Sequence, residues 1–156
     1  MVSRREEHLL GVGGCIVVGD DGSAESATAV RWAAEEARFR KAPLVVVRAW
    51  TITTAPRPVH WEPGYVPSED EFASAVADQL AADLVDMLGE SPGIEIRPLP
   101  AHSSPEEALV AASREASLVV VGSHGRHLAS ALLGSTSEHL VRHAHGPIAV
   151  VPVRGR

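Results

Sequence analysis

Short apolar runs recur along this chain, and each gives way to turn residues and then to a stretch with helical spacing. Cys15-Ile16-Val17-Val18 runs into Gly19-Asp20-Asp21-Gly22, as a strand buried on both faces enters a turn. Ser23 offers an N-cap, and Ala27, Val30, Ala34 and Ala37 form the stripe of a helix that ends near Lys41-Ala42-Pro43. Leu44 to Trp50 reads as a second strand. Thr51 to Pro67 has no periodicity and contains Pro56, Pro58, Pro63 and Pro67, which makes a loop of 17 residues, beyond the usual ceiling of about 12–15.

Ser68-Glu69-Asp70-Glu71 is a capping box, and Ala73, Val76, Ala77, Leu80, Leu84 and Met87 follow at helical spacing until Gly89. A third, weaker strand is expected over Ile94 to Leu99. Ser104-Pro105-Glu106-Glu107 combines an N-cap, proline at the first helical position and glutamate at the third, predicting a helix to about Ala116. Leu118 to Val121 is the fourth strand. Ser135-x-x-Glu138 caps a helix through Ala144, and Gly146-Pro147 breaks it before a last strand, Ile148 to Val153.

The order is βαβαβαβαβ. Strands joined by helices must run parallel, and right-handed crossovers leave few windings, so an α/β, doubly wound, open five-stranded parallel sheet with helices on both faces is expected. Residues 1–14, charged and then glycine-rich, read as a flexible tail, and residues 15–153 as a single domain.

Composition narrows the partners. Apolar residues make up 45% and charged residues 22%, which excludes disordered and low-complexity classes. The net charge of −6 argues against nucleic acid. No apolar run approaches the ~18 residues of a membrane helix, so no membrane partner is expected. The start faintly imitates a lipoprotein signal ahead of Cys15, but Leu9 to Gly14 is too short and half glycine, and Glu6 and Glu7 spoil the basic start. A single cysteine cannot form an intrachain disulfide, and a reducing, cytoplasmic location is expected.

In a doubly wound sheet the ligand crevice opens at the carboxyl ends of the strands where the winding reverses. Two strand ends carry unusual residues. The first gives Gly19-Asp20-Asp21-Gly22-Ser23. The fourth gives Gly122-Ser123-His124-Gly125-Arg126, followed after seven residues by Gly134-Ser135-Thr136. Glycines let successive amides line one concavity, and a helix starting at Ser135 adds its positive end and hydroxyl donors, which together make a phosphate cradle. His124 would donate to phosphate and Arg126 would follow it with a cation. With phosphates on the fourth strand's loop, Asp21 lies across the crevice to accept from a base amino group. The chain lacks both G-x-x-x-x-G-K-[ST] and G-x-G-x-x-G, so it is neither a Walker-type NTPase nor a dinucleotide-binding fold.

Cys15 to Val153 resembles the universal stress proteins, specifically their ATP-binding branch, a group with an adenine nucleotide alpha-hydrolase-like fold. The resemblance is carried by IVVGDDGS, LVVVGSHGR with LLGSTSEHLVRHA, and GPIAVVPV. It implies strand order 3-2-1-4-5 and a homodimer through the last strand, involving Ile148, Val150, Val151 and Val153. It also implies ATP, with Mg²⁺ accompanying the nucleotide: Asp21 contacting adenine, Ala49 lining the base pocket, and Gly122, Gly125, Gly134 and Ser135 holding ribose and phosphates. Gly125 and Gly134 enclose eight residues where the family spacing is G-x2-G-x9-G-[ST], from which weaker γ-phosphate contacts are expected. Asp20 stands where the family usually has an apolar or small residue; by itself it reads as a turn cap.

The resulting expectation is a regulatory, nucleotide-sensing dimer in stress response. One alternative is a dimeric stress or interaction protein that binds no nucleotide. Another is an enzyme of the related hydrolase-like fold, which should carry further catalytic motifs. No catalytic residue is assigned, since no nucleophile stands with a base; slow hydrolysis, or self-phosphorylation at Ser135 or Thr136, rests on family analogy. His139, His143 and His145 have loose metal-ligand spacing but read as a solvated helix end, and no metal site is expected. Trp50, Trp61 and Tyr65 either cover a ligand or pin the long loop.

Overall fold

The computed structural model describes residues 11–123 and 133–152. Its strands are β1 (Ile16–Gly19), β2 (Leu44–Ala49), β3 (Ile96–Ala101), β4 (Leu118–Gly122) and β5 (Ile148–Val151). Between them lie α1 (Ala24–Arg40), α2 (Glu69–Leu88), α3 (Pro105–Ala112) and α4 (Ser135–His143). The strands form one parallel sheet in the order β3-β2-β1-β4-β5, so the winding reverses between β1 and β4, as expected.

Strand alternation divides the core into two layers. Ile16, Val18, Leu44, Val46 and Val120 face α1 and α2, meeting Ala29, Val30, Ala33, Ala34, Leu80 and Leu84. Val17, Val45, Val47, Val119 and Val121 face α3 and α4, meeting Ala108, Leu109, Ala112 and Leu140. The central strands are therefore apolar at every step because both of their faces are covered. Small residues along α1 let it lie close to β1, with Ala29, Ala33, Ala34 and Ala37 all fully buried. Cys15 is buried beside the second layer, just ahead of β1.

Three helices start where serines announce them. The side chains of Ser23, Ser68 and Ser104 accept from the amides of Ser26, Glu71 and Glu107, and Ser68 and Glu71 complete the capping box. The fourth start differs from expectation. Gly134, not Ser135, occupies the N-cap of α4 and makes no side-chain capping bond. Helix α3 also ends at Ala112, short of Ala116, because the chain tightens there: the Arg114 and Glu115 amides donate to the Ala111 and Ala112 carbonyls.

β3 begins and ends two residues later than its apolar pattern suggested. Its register is set by β2, where Leu44 aligns with Ile96 and Ala49 with Ala101. The Leu44 and Trp50 amides donate to the Glu95 and Ala101 carbonyls, so the odd-numbered residues of β3 face β2. Pro98 and Pro100 then turn their missing donors outward, which is where an edge strand tolerates proline. The last strand extends to Val151; Val153 lies outside the described residues.

Candidate functional site

The end of β1 is a tightly bonded turn. Gly22 takes the left-handed conformation, φ 80°, that lets the chain reverse into α1. One oxygen of Asp20 accepts from the Gly22 amide at 2.9 Å and from the Ser26 hydroxyl at 2.6 Å. Asp21 accepts from the Ser23 amide at 2.9 Å. Asp20 is thus the turn cap that its position suggested, but it does more. Its other oxygen pairs with a guanidinium nitrogen of Arg48 on β2, while another nitrogen of Arg48 donates to Asp83 of α2 at 2.7 Å. Burial works against the charge of Arg48, yet the hydrogen bond to Asp83 and the field of Asp20 outweigh it and hold the guanidinium above its ordinary range. The extra negative charge at Asp20 is therefore matched inside the fold.

The end of β4 is tied to the start of α4 through one carbonyl. The Gly134 amide donates to the Ser123 carbonyl at 2.6 Å, and the Ser137 hydroxyl donates to the same oxygen at 3.3 Å. This returns the chain to the sheet and aims the first turn of α4 at the crevice. Among the described residues no side chain caps that turn, which leaves its amides and its positive end turned to the crevice for an anion. The Thr136 hydroxyl crosses to α3 and donates to a carboxylate oxygen of Glu106 at 3.0 Å.

Between these two strand ends lies a cavity of about 300 Å³. Gly19, Asp20, Asp21 and Ser26 line its β1 side, Val47 and Ala49 its β2 side, and Val121 and Gly122 its β4 side. Gly134 to Thr136, with Ser137, line it from α4, and Pro105, Glu106 and Leu109 from α3, where Glu106 meets Thr136. Gly19 lets the Leu109 side chain lie close against the end of β1, where a Cβ would meet one of its methyls at 2.8 Å. The cavity has an apolar middle, a carboxylate at one strand end, and an uncapped helix start with hydroxyls at the other. Such a surface can hold a flat base, accept from its amino group, and donate to an anion.

Of the residues singled out in the sequence, Asp21, Ala49, Gly122, Gly134, Ser135 and Thr136 line this one cavity. His124, Gly125 and Arg126, with the shortened loop around them, lie outside the described residues. Sequence reasoning missed Arg48, Asp83, Ser26 and Glu106. The signal for Arg48 was its charge within the apolar run LVVVRAW, on the strand that pairs with β1 and its unusual Asp20. Glu106 was read only as part of a helix start, because nothing local says that it faces α4.

The aromatic residues pin the long loop rather than line the cavity. Trp50 is buried, stacks on His102 at 4.2 Å with the rings 12° apart, and reaches Phe72 of α2. Arg57 sits over Trp61, and the Tyr65 hydroxyl hydrogen-bonds Glu71 at 2.9 Å. His139 and His143 lie together on the exposed side of α4, their rings 4.4 Å apart. Among the described residues no group of three or more metal-ligating side chains converges. Nor is any described helix long and apolar enough to cross a membrane.

The universal stress protein family matches this chain over residues 15–152. A universal stress protein of Mycolicibacterium smegmatis is 38% identical over 142 residues, which cover 87% of this chain and 47% of that protein. One from Mycobacterium tuberculosis is 40% identical over 144 residues, with 87% and 47% covered. The chain spans about half the length of these relatives. Among solved structures, a universal stress protein in complex with cAMP is similar with a TM-score of 0.61 and 26% identity, over 90% of this chain and 98% of that one. The matched segment opens at the buried Cys15 ahead of β1 and closes beyond β5, taking in the whole sheet and both strand ends that frame the cavity, and on this ground the chain belongs to the universal stress protein family.

Proposed function

We propose that the chain binds an adenine nucleotide in the cavity between β1 and β4 and acts as a regulatory, nucleotide-sensing member of its family. The observation that supports this most directly is the pairing of Asp21 with the uncapped start of α4 across one cavity. Asp21 supplies the acceptor for the adenine amino group, Val47 and Ala49 the apolar wall for the ring, and the Ser135 and Thr136 turn the donors for ribose and phosphate. The cAMP held by the similar solved structure agrees with a cavity of this chemistry. ATP is the nucleotide implied by the sequence resemblance, with Mg²⁺ arriving on its phosphates. The reading is of a cytoplasmic protein, in keeping with the single, unpaired Cys15.

Homodimerisation through β5 belongs to the same proposal. The two sheet edges differ: β3 carries Pro98 and Pro100, whereas Ile148–Val151 is an edge without a proline among its residues. An open apolar edge needs cover, and a second copy supplies it. Nucleotide carried through purification tests the binding reading. Acid extraction should release material with adenine absorbance and a defined phosphate content; protein that is free of it and also fails to take up ATP, ADP, AMP or cAMP contradicts the proposal. Light scattering at micromolar concentration should give twice the chain mass, and a monomer would remove the dimer from it.

A further inference from the structure

We infer that Glu106 sets how much phosphate charge the cavity tolerates. The inference rests on the nucleotide reading above and deepens it, from which base is held to how many phosphates are accepted.

Glu106 lies in the first turn of α3, yet it is not needed there as a cap. Ser104 already accepts from the Glu107 amide, and Pro105 carries no amide proton to satisfy. The half-buried Glu106 carboxylate instead spans the cavity end and accepts a hydrogen bond from the Thr136 hydroxyl, in the first turn of α4. That turn is where an anion would bind, since among the described residues no side chain caps the start of α4. Glu106 thus presents to α4 what a phosphate would present: an anionic oxygen beside the helix start, with a threonine hydroxyl donated to it.

The surrounding charge sharpens the effect. The described residues lining the cavity include Asp20, Asp21 and Glu106 but no lysine, arginine or histidine. Asp20 is matched by Arg48, and Asp21 belongs to the opposite strand end, where an acceptor suits the base. Glu106 is the carboxylate left at the phosphate end. A phosphate seated there must displace the glutamate from Thr136 or lie beside its charge, and the repulsion grows with each ionised oxygen brought in. A neutral nucleoside feels none of it. Glu106 is accordingly a specificity-determining residue that favours nucleotides of low charge, and it would make metal-free ATP the poorest of the adenine ligands relative to its available contacts.

The test is a titration calorimetry series with adenosine, AMP, ADP and ATP, in EDTA and at fixed ionic strength, on the full chain and on Glu106→Gln. Glutamine keeps the length and can still accept from Thr136, so the fold and the α3 to α4 contact are retained while the charge is removed. Adenosine affinity should stay within about twofold, and the gain in the variant should climb with phosphate number to about tenfold or more for ATP. Glu106→Ala should show the same ordering. Equal gains for all four ligands, or none, overturn the role of Glu106 while leaving the binding site intact. If neither protein binds any of the four, the nucleotide reading itself falls, and this inference with it.

Discussion

The Asp20 carboxylate and the Arg48 guanidinium form an ion pair between the end of β1 and β2, with side-chain exposures of 1% and 12%. Charges this far from water are costly singly and tolerable together. Arg48→Met leaves Asp20 buried and unpaired, so unfolding free energy should fall by about 3–5 kcal/mol. Asp20→Asn combined with Arg48→Met removes both charges and keeps an acceptor for Gly22 and Ser26. Chemical denaturation should find the double variant more stable than the single one; a double variant weaker by the sum of both losses would show that the pair does not act as a unit.

A second prediction comes from the turn between α4 and β5. A Cβ at Gly146 would lie 2.7 Å from the Ser113 carbonyl oxygen, a backbone atom with little room to yield. The adjacent His145 amide donates to the Ser113 hydroxyl at 2.9 Å, so any shift also strains that bond. Gly146→Ala should therefore cost about 1–3 kcal/mol, read as a fall of roughly 3–10 °C in Tm. A melting curve that does not move would mean that the end of α3 adjusts freely.

Much of this arrangement was legible in the sequence because it is set locally. Ser23, Ser68 and Ser104 cap their helices through amides three residues away, and the valine runs of β1, β2 and β4 are buried because helices cover both faces. The end of β1 and the start of α4 could be named as facing each other because both carry unusual residues at strand ends and the family resemblance implies the strand order that brings them together. What escaped was long-range. Arg48 is 28 residues from Asp20 and 35 from Asp83, and Glu106 is 30 from Thr136. Nothing in a local pattern selects such partners. β3 was displaced for the same reason: its limits come from pairing with β2, not from its own apolar residues.

The start of α2 should be sensitive to acid. Hydrogen bonds from the Ser68 backbone amide and the Tyr65 hydroxyl hold Glu71 below the ordinary glutamate range. Because the folded value is depressed, this contribution is fully present above the unfolded pKa, about 4.3, and is lost as pH falls through the folded value. Carboxyl shifts followed by NMR should place the Glu71 titration below that of free glutamate. In Glu71→Gln, the acid loss of α2's first turn should disappear from hydrogen exchange; if it persists unchanged, another carboxylate governs it.

Calorimetric titration of the full chain and of Asp21→Ala decides whether Asp21 and the start of α4 hold the two ends of one adenine nucleotide. The unaltered chain should show one saturable site for an adenine nucleotide. Affinity should fall about 10- to 150-fold in the variant, the loss of a hydrogen bond to a charged acceptor worth roughly 1.5–3 kcal/mol. A guanine nucleotide, whose ring edge presents a carbonyl oxygen to the Asp21 carboxylate, should bind the unaltered chain far more weakly. No heat and no thermal shift at millimolar nucleotide, or equal affinity in the chain and in Asp21→Ala, would mean that no adenine nucleotide is held between Asp21 and α4.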